Sequence, residues 1–150
     1  MKKTRKLLKN QKGLTLIELL AVIVILAIVA AIAVPAIGNI ISNSRDKAIL
    51  ADASNILAGA KLAVIDGACG EADASGVITC EAGVLEDVVE GIPQDELTGA
   101  SVTKNADGVW TVTYENLVNI NNSEKFSVDG FVAGTDNSIT EENLNEAMNQ

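Results

Sequence analysis

Residues Lys12–Gly38 read KGLTLIELLAVIVILAIVAAIAVPAIG and contain the longest apolar run in the chain. Every residue from Leu19 to Val34 is apolar, and the run extends from Leu14 to Ile41 with few interruptions. A helix of about 20 mostly apolar residues crosses the hydrocarbon core of a bilayer. The stretch therefore predicts a membrane-spanning helix over residues 14–41.

One acidic residue, Glu18, lies near the start of this run. A carboxylate inside a membrane costs about 2.5–3.5 kcal/mol by insertion scales, so such a residue indicates a function. The alternative is that Glu18 lies among the lipid headgroups, which a helix end reaches easily. The residues that precede Glu18 bear on this choice.

Residues 1–13 form a basic leader without an acidic residue, in which six of the chain's 11 basic residues lie: Lys2, Lys3, Arg5, Lys6, Lys9 and Lys12. The order of basic leader, Gly13, Leu14, Glu18 and long apolar helix resembles the class III signal of type IV pilins and related pseudopilins. In that family a prepilin peptidase cuts after the glycine and N-methylates the new first residue. Here that residue would be Leu14, where the family more often has Phe or Met.

The resemblance implies an assembly role for two charged groups of the cleaved chain, the new N-terminal amine and the Glu18 carboxylate. The new α-amino group of Leu14 would pair with the Glu18 carboxylate of a neighbouring subunit. Pro35 and Gly38 lie where pilins commonly have helix-loosening residues, and Pro35 removes a helical hydrogen bond. The pair predicts a kink or a place of local unwinding, and a simple membrane-helix kink is the alternative.

An ordinary secretory signal peptide is a competing interpretation, with Ala31-Ile32-Ala33 as its cleavage site. Three features disfavour it. The apolar run exceeds the usual length of such a signal, about 7–15 residues. Glu18 would have no purpose within it, and the helical pattern resumes beyond Pro35.

The charge distribution predicts an exported, acidic product. All 20 acidic residues follow Gly13, together with five basic ones, so the cleaved chain would have a net charge of −15 against −9 for the precursor. A basic end before an apolar span places the leader in the cytoplasm and the remainder outside. An acidic exterior argues against general nucleic-acid binding.

Residues 42–65 are expected to continue the helix in amphipathic form. Apolar residues recur there at helical spacing, and polar residues occupy the other face. The apolar face consists of Ile49, Ala53, Ile56, Leu57, Ala60, Ala63 and Val64. The expected fold class is α+β, as the resemblance to pilins also implies. A long helical spine, transmembrane in its first half and amphipathic in its second, packs on a small C-terminal globular domain, residues 66–150, that contains an antiparallel sheet.

The sequence Asp66-Gly67 is expected to end the helix, and the two cysteines, Cys69 and Cys80, follow. Two cysteines in an exported domain suggest a disulfide, here between helix and sheet. Many Gram-negative pilins instead close a loop near the C-terminus. Asp66, Glu71 and Asp73 could hold calcium as a loop does in some pseudopilins, but their spacing matches no recognised calcium loop and favours solvated turn residues.

Several shorter elements are predicted in residues 83–148. They comprise a short helix over Gly83–Glu90, a hairpin of Ser101–Lys104 and Val109–Glu115 with its turn at Asn105-Ala106-Asp107-Gly108, a strand or a bent pair broken at Asp129-Gly130 over Lys125–Ala133, and a terminal helix over Thr140–Met148. No histidine, phosphate-binding loop or nucleophile motif is present in the sequence. We therefore expect that the protein is not an enzyme and that it binds no cofactor and no metal ion.

The function expected from the resemblance is that of a structural subunit of an extracellular type IV pilus-like filament. Its partners would be copies of itself in a helical homopolymer, the prepilin peptidase, the assembly platform with its ATPase, and the membrane before assembly. The alternatives are a pseudopilin of a secretion or DNA-uptake system and a monomeric signal-anchored surface protein.

Overall fold

The computed structural model describes the backbone of residues 4–150 and the side chains of residues 15–150. Its order is α1 (Thr4–Ile65), β1 (Ile78–Glu81), α2 (Ala82–Val88), α3 (Gln94–Leu97), β2 (Ser101–Lys104), β3 (Trp110–Thr113), a 3-10 helix (Glu115–Asn119), α4 (Ser123–Phe126), β4 (Ser138–Thr140) and α5 (Glu141–Met148). The chain divides between Ile41 and Ser42 into two compact units. The α+β class with a long N-terminal helix and a four-stranded antiparallel sheet is confirmed.

Helix α1 ends at Ile65 because the next two residues supply a glycine cap. Gly67 has a φ of 75° and donates to the Val64 carbonyl at 3.2 Å, while the Ala68 N–H reaches back to the Ala63 carbonyl at 2.8 Å. These two bonds form a Schellman motif, in which the left-handed position favours glycine. The predicted helix end at Asp66-Gly67 is confirmed.

The second half of α1 buries the face that the sequence predicts. Ala53, Ile56, Ala60 and Ala63 are at most 1% exposed, and Leu50, which the periodic pattern did not include, is also fully buried. Ile49 and Val64 pack at the edge of the same core.

The sheet has the order β1-β2-β3-β4, with every neighbouring pair antiparallel. One cross-strand row joins the strands on the buried side, namely Cys80, Val102, Val112 and Ile139. The opposite row is Thr79, Thr103, Thr111 and Thr140. This alternation is the period-two pattern of a sheet with one face on a core.

The predicted short helix, hairpin and terminal helix are confirmed as α2, β2 with β3, and α5. Helix α5 begins as expected, because the Thr140 hydroxyl accepts a hydrogen bond from the Asn143 N–H at 3.3 Å. Gly59 lets α1 approach the end of α2, since a Cβ there would lie 2.7 Å from the Val89 side chain.

The continuous strand predicted for Lys125–Ala133 is wrong, whereas the alternative, a bent pair broken at Asp129-Gly130, is confirmed in part. Helix α4 occupies its start, and a single bridge between Val128 and Phe131 closes a turn at Asp129-Gly130. The fourth strand is instead Ser138–Thr140. With this turn, both Phe126 and Phe131 lie in the core. In a straight strand their side chains would point to opposite faces, because the two residues are an odd number of positions apart.

Candidate functional site

The apolar part of α1 is the first candidate site, because its side chains face solvent in the isolated chain. Large apolar residues from Leu16 to Ile41 are 48–71% exposed. An 18-residue window of this helix has a mean hydropathy of 3.1 and no buried residue. Its length and composition suffice to cross a membrane.

Glu18 lies on this exposed surface. Thr15, Leu19 and Val22 share its side of the helix and line a shallow open groove with it. Glu18 forms no ion pair with any residue of the range 15–150. The predicted processing residues, Gly13 and Leu14, lie in the part of α1 of which only the backbone is described.

Pro35 and Gly38 lie within α1, which continues beyond both. A Cβ built on Gly38 meets no atom within 4 Å. The packing of the single subunit therefore does not require a glycine at position 38. The kink predicted for this pair stays a prediction.

A second feature, which the sequence analysis missed, is the buried residue Asp46. It is 0% exposed and lies on the inward face of α1, one turn before Leu50. Its Oδ1 accepts from the Asn121 N–H at 3.0 Å, and its Oδ2 accepts from the Asn122 N–H at 2.9 Å. The Asn122 amide also donates to Asn43 Oδ1 at 2.9 Å. The carboxylate therefore binds the loop after the 3-10 helix to α1.

The periodicity of α1 contained a signal for this contact. Asp46 falls in step with Ile49, Ala53 and Ile56, so an acid occupies a position of the apolar face. A buried carboxylate requires hydrogen-bond donors to offset its desolvation. The pattern thus pointed to a polar partner, although not to which residues supply it.

Cys69 and Cys80 form the predicted disulfide, with their Cα atoms 4.7 Å apart. Cys80 lies in the buried row of β1, and its sulfur is 3.8 Å from the Ala60 carbonyl oxygen. The bond therefore ties the loop after α1 to the edge strand of the sheet, between helix and sheet as expected.

The acids of this loop are arranged as turn residues. Asp73 Oδ1 accepts from the N–H groups of Ser75 and Val77, at 2.8 and 2.9 Å. Within residues 15–150, no three side chains of the metal-ligating types converge. The structure gives no support to a calcium site formed with Asp66 and Glu71.

A polar cluster joins Glu96 of α3 to the residues that follow β3 and lies near Asp52, in the second half of α1. Glu96 Oε2 accepts from the Tyr114 hydroxyl at 3.2 Å and from the Asn116 amide at 2.8 Å. Burial, with the nearby carboxylates, raises the pKa of Tyr114 to about 12. Burial, followed by the like charge of Glu96, raises the pKa of Asp52 above its ordinary value. The cluster is a satisfied structural network and contains no nucleophile with a base.

Comparison with known proteins concerns the N-terminal segment. A family model described as the prokaryotic N-terminal methylation motif matches residues 8–34. The match contains Gly13, Leu14 and Glu18, and it confirms the resemblance to a type IV pilin-like class III signal. No curated protein and no solved structure matches the chain. The motif supports a pilin-like or pseudopilin precursor and is a structural motif without enzymatic chemistry.

Proposed function

We propose that this chain is a structural subunit of an extracellular type IV pilus-like filament, cut after Gly13 and polymerised through α1. The observation that carries the proposal is the exposed apolar surface of residues 16–41, which overlaps the methylation motif over residues 16–34. In this proposal residues 1–13 are a leader, residues 14–41 form the filament core, residues 42–65 continue the helix, and residues 66–150 complete the outer domain.

The exposed apolar surface requires a non-aqueous environment both before and after assembly. Apolar area in water is unfavourable by about 25 cal/mol per Å². Before assembly the lipid bilayer covers residues 14–41. In the filament, the same helices of neighbouring subunits cover one another. The subunit thus moves between two apolar environments and never presents this surface to water.

In this mechanism, Glu18 determines the axial offset at which the helices of adjacent subunits pack. Cleavage creates an α-amino group at Leu14, and this cation pairs with the Glu18 carboxylate of an adjacent subunit. A buried charge without a partner is costly, and pairing offsets much of that cost. Only one axial offset between the helices brings the two groups together, so pairing favours that offset.

Cleavage has a second consequence. It removes six basic residues and changes the net charge from −9 to −15. The leader holds the N-terminus in the cytoplasm, because basic residues next to a span stay on that side. Its loss frees α1 to leave the membrane toward the outside. Pro35 and Gly38 provide a segment where α1 can bend or unwind as it is packed.

The partners in this proposal are copies of the chain, the prepilin peptidase, the assembly platform with its ATPase, and the cytoplasmic membrane. A pseudopilin that forms a short fibre for secretion or DNA uptake is the second candidate, since the methylation motif is common to both groups. A monomeric signal-anchored surface protein is the third.

The mature N-terminus tests the proposal. Peptide and intact-mass analysis of membrane and sheared fractions should find a chain that starts at N-methylated Leu14. Gly13→Leu should leave the precursor uncut, whereas Gly83→Leu, at an exposed glycine with no atom near its Cβ, should be processed normally. Long abundant fibres on overexpression favour the pilin, and short or absent fibres the pseudopilin. A chain that retains its leader supports the signal-anchored protein, and one that starts at Val34 a secretory signal.

A further inference from the structure

The folded unit of residues 42–150 has unpaired positive and negative charges at opposite ends of its helix. Five basic residues follow Gly13, and three of them are engaged. Lys61 pairs with Glu141 and lies 5.6 Å from the Trp110 ring centroid, Lys104 lies 5.4 Å from the same ring, and Lys125 lies 5.6 Å from that of Phe126. Arg45 and Lys47 are the other two.

Arg45 and Lys47 are both exposed and form no ion pair or ring contact within residues 15–150. Asp46 lies between them in sequence but points inward, and the N–H groups of Asn121 and Asn122 occupy its oxygens. Glu124, in α4 just after this loop, pairs with neither cation. We call Arg45 and Lys47 the basic end.

The other end of the helix is acidic. Asp66 directly follows α1, and Glu71 lies in the next loop; both are exposed and unpaired within the described residues. Leu62 and Ile65 beside them are 55% and 80% exposed. Apolar residues bordered by charges are typical of an interface. We call Leu62, Ile65, Asp66 and Glu71 the acidic end.

We propose that the basic end of one subunit contacts the acidic end of a second copy of this chain, farther along the filament than the neighbour paired through Leu14 and Glu18. These charges fix the contact between the two outer domains. The inference rests on the proposed filament function. Helix α1 rises about 1.5 Å per residue, so about 30 Å separates Arg45 from Ile65 in one subunit. The two ends therefore meet only between copies. A head-to-tail contact of this kind is heterologous and generates an open helical filament.

The composition favours a second copy over lipid as the occupant of the basic end. With 20 acidic residues and five basic ones after Gly13, packed subunits repel one another unless their few free cations lie at the contact. Recognition of anionic headgroups typically uses clusters of four to eight basic residues beside a membrane span. The basic end has two.

Charge reversal tests the contact. The variant R45E/K47E should lower filament yield per processed subunit by about tenfold, because like charges then face each other. The variant D66K/E71K should also lower the yield. The combination of all four changes should restore most of the yield. The control combines R45E/K47E with E90K/E146K, which reverses two exposed acids elsewhere and so changes the net charge by the same amount. This control should not restore the yield.

Carbodiimide coupling of wild-type filaments gives a direct readout. It should join the Lys47 amine to the carboxyl of Asp66 or Glu71, and the distance within one subunit assigns such a link to two copies. Three results would contradict the proposed contact. The variant R45E/K47E could give the wild-type filament yield, E90K/E146K could rescue it as well as D66K/E71K does, or the Lys47 cross-links could involve only other acidic residues. Loss of processed R45E/K47E from the membrane before assembly would assign the cations to headgroups instead. Absence of any filament from processed wild-type protein would refute the filament function itself.

Discussion

Asp46 Oδ2 accepts a hydrogen bond from the Asn122 N–H at 2.9 Å, across 76 residues of sequence. With the Asn121 N–H on Oδ1, this bond joins the start of the second half of α1 to the loop after the 3-10 helix. Asp46 lies between Arg45 and Lys47 in sequence, so the inward face of α1 at this point is flanked by two exposed cations.

Replacement of Asp46 should destabilise the outer domain. In Asp46→Ala, the N–H groups of Asn121, which is exposed, and of Asn122, which is half-buried, lose their acceptor, and the lost hydrogen bonds to a charged group should together cost about 1–3 kcal/mol. The free energy of unfolding of detergent-solubilised protein, from urea titration, should fall accordingly. Asp87→Ala, at an exposed acid without a hydrogen bond, is the control and should unfold as the wild type does. An unchanged midpoint for Asp46→Ala would show that water replaces the carboxylate.

Glu18 should be required for assembly but not for insertion or cleavage. Glu18→Ala removes a charge that is costly in a membrane, so the processed subunit should accumulate normally. Filament yield from sheared cells should fall sharply, because the Leu14 amine of the neighbour lacks its partner. Glu18→Gln separates charge from hydrogen bonding, and poor rescue is expected if pairing drives docking. Normal filaments from fully processed Glu18→Ala would show that apolar packing alone sets the register.

The disulfide should be closed in the exported protein and should contribute to stability. Alkylation of unreduced protein should label neither Cys69 nor Cys80. Cys69→Ser/Cys80→Ser should lower the free energy of unfolding by about 3 kcal/mol, the value expected for a closed loop of this order. Addition of a reductant to the wild type should give a similar loss and leave the double variant unchanged. Ready labelling of both thiols would exclude the bond.

The Tyr114 hydroxyl should lose its proton at a higher pH in the folded protein than in the unfolded chain. It is the chain's one tyrosine, so absorbance at alkaline pH reports it alone. The native midpoint should lie at about 12, against the ordinary 10.0, because burial favours the neutral hydroxyl. The stability that this preference contributes is present below pH 10.0 and is lost as the pH rises to about 12. Tyr114→Phe should lack that loss, and a native midpoint near the ordinary value would contradict the burial.

The sequence by itself determined the signal segment, the apolar span and three of the helices, namely α1, α2 and α5. These depend on local composition and periodicity, such as the order from Gly13 to Glu18 and the face from Ala53 to Ala63. The end of α1 was also predictable, because Gly67 can adopt a left-handed conformation without strain. The hairpin followed from its Asp107-Gly108 turn.

The tertiary structure alone decided which distant residues meet. The structure has α4 and a turn where a strand was expected at Lys125–Ala133, and it uses Ser138–Thr140 as β4. Both differences depend on where the other segments leave room in the core. The partners of Asp46 likewise depend on contacts far apart in sequence. The separation of the basic and acidic ends, by contrast, follows from the length of α1. Periodicity shows which side of an element is apolar, but the pairing of elements depends on how all of them share one core.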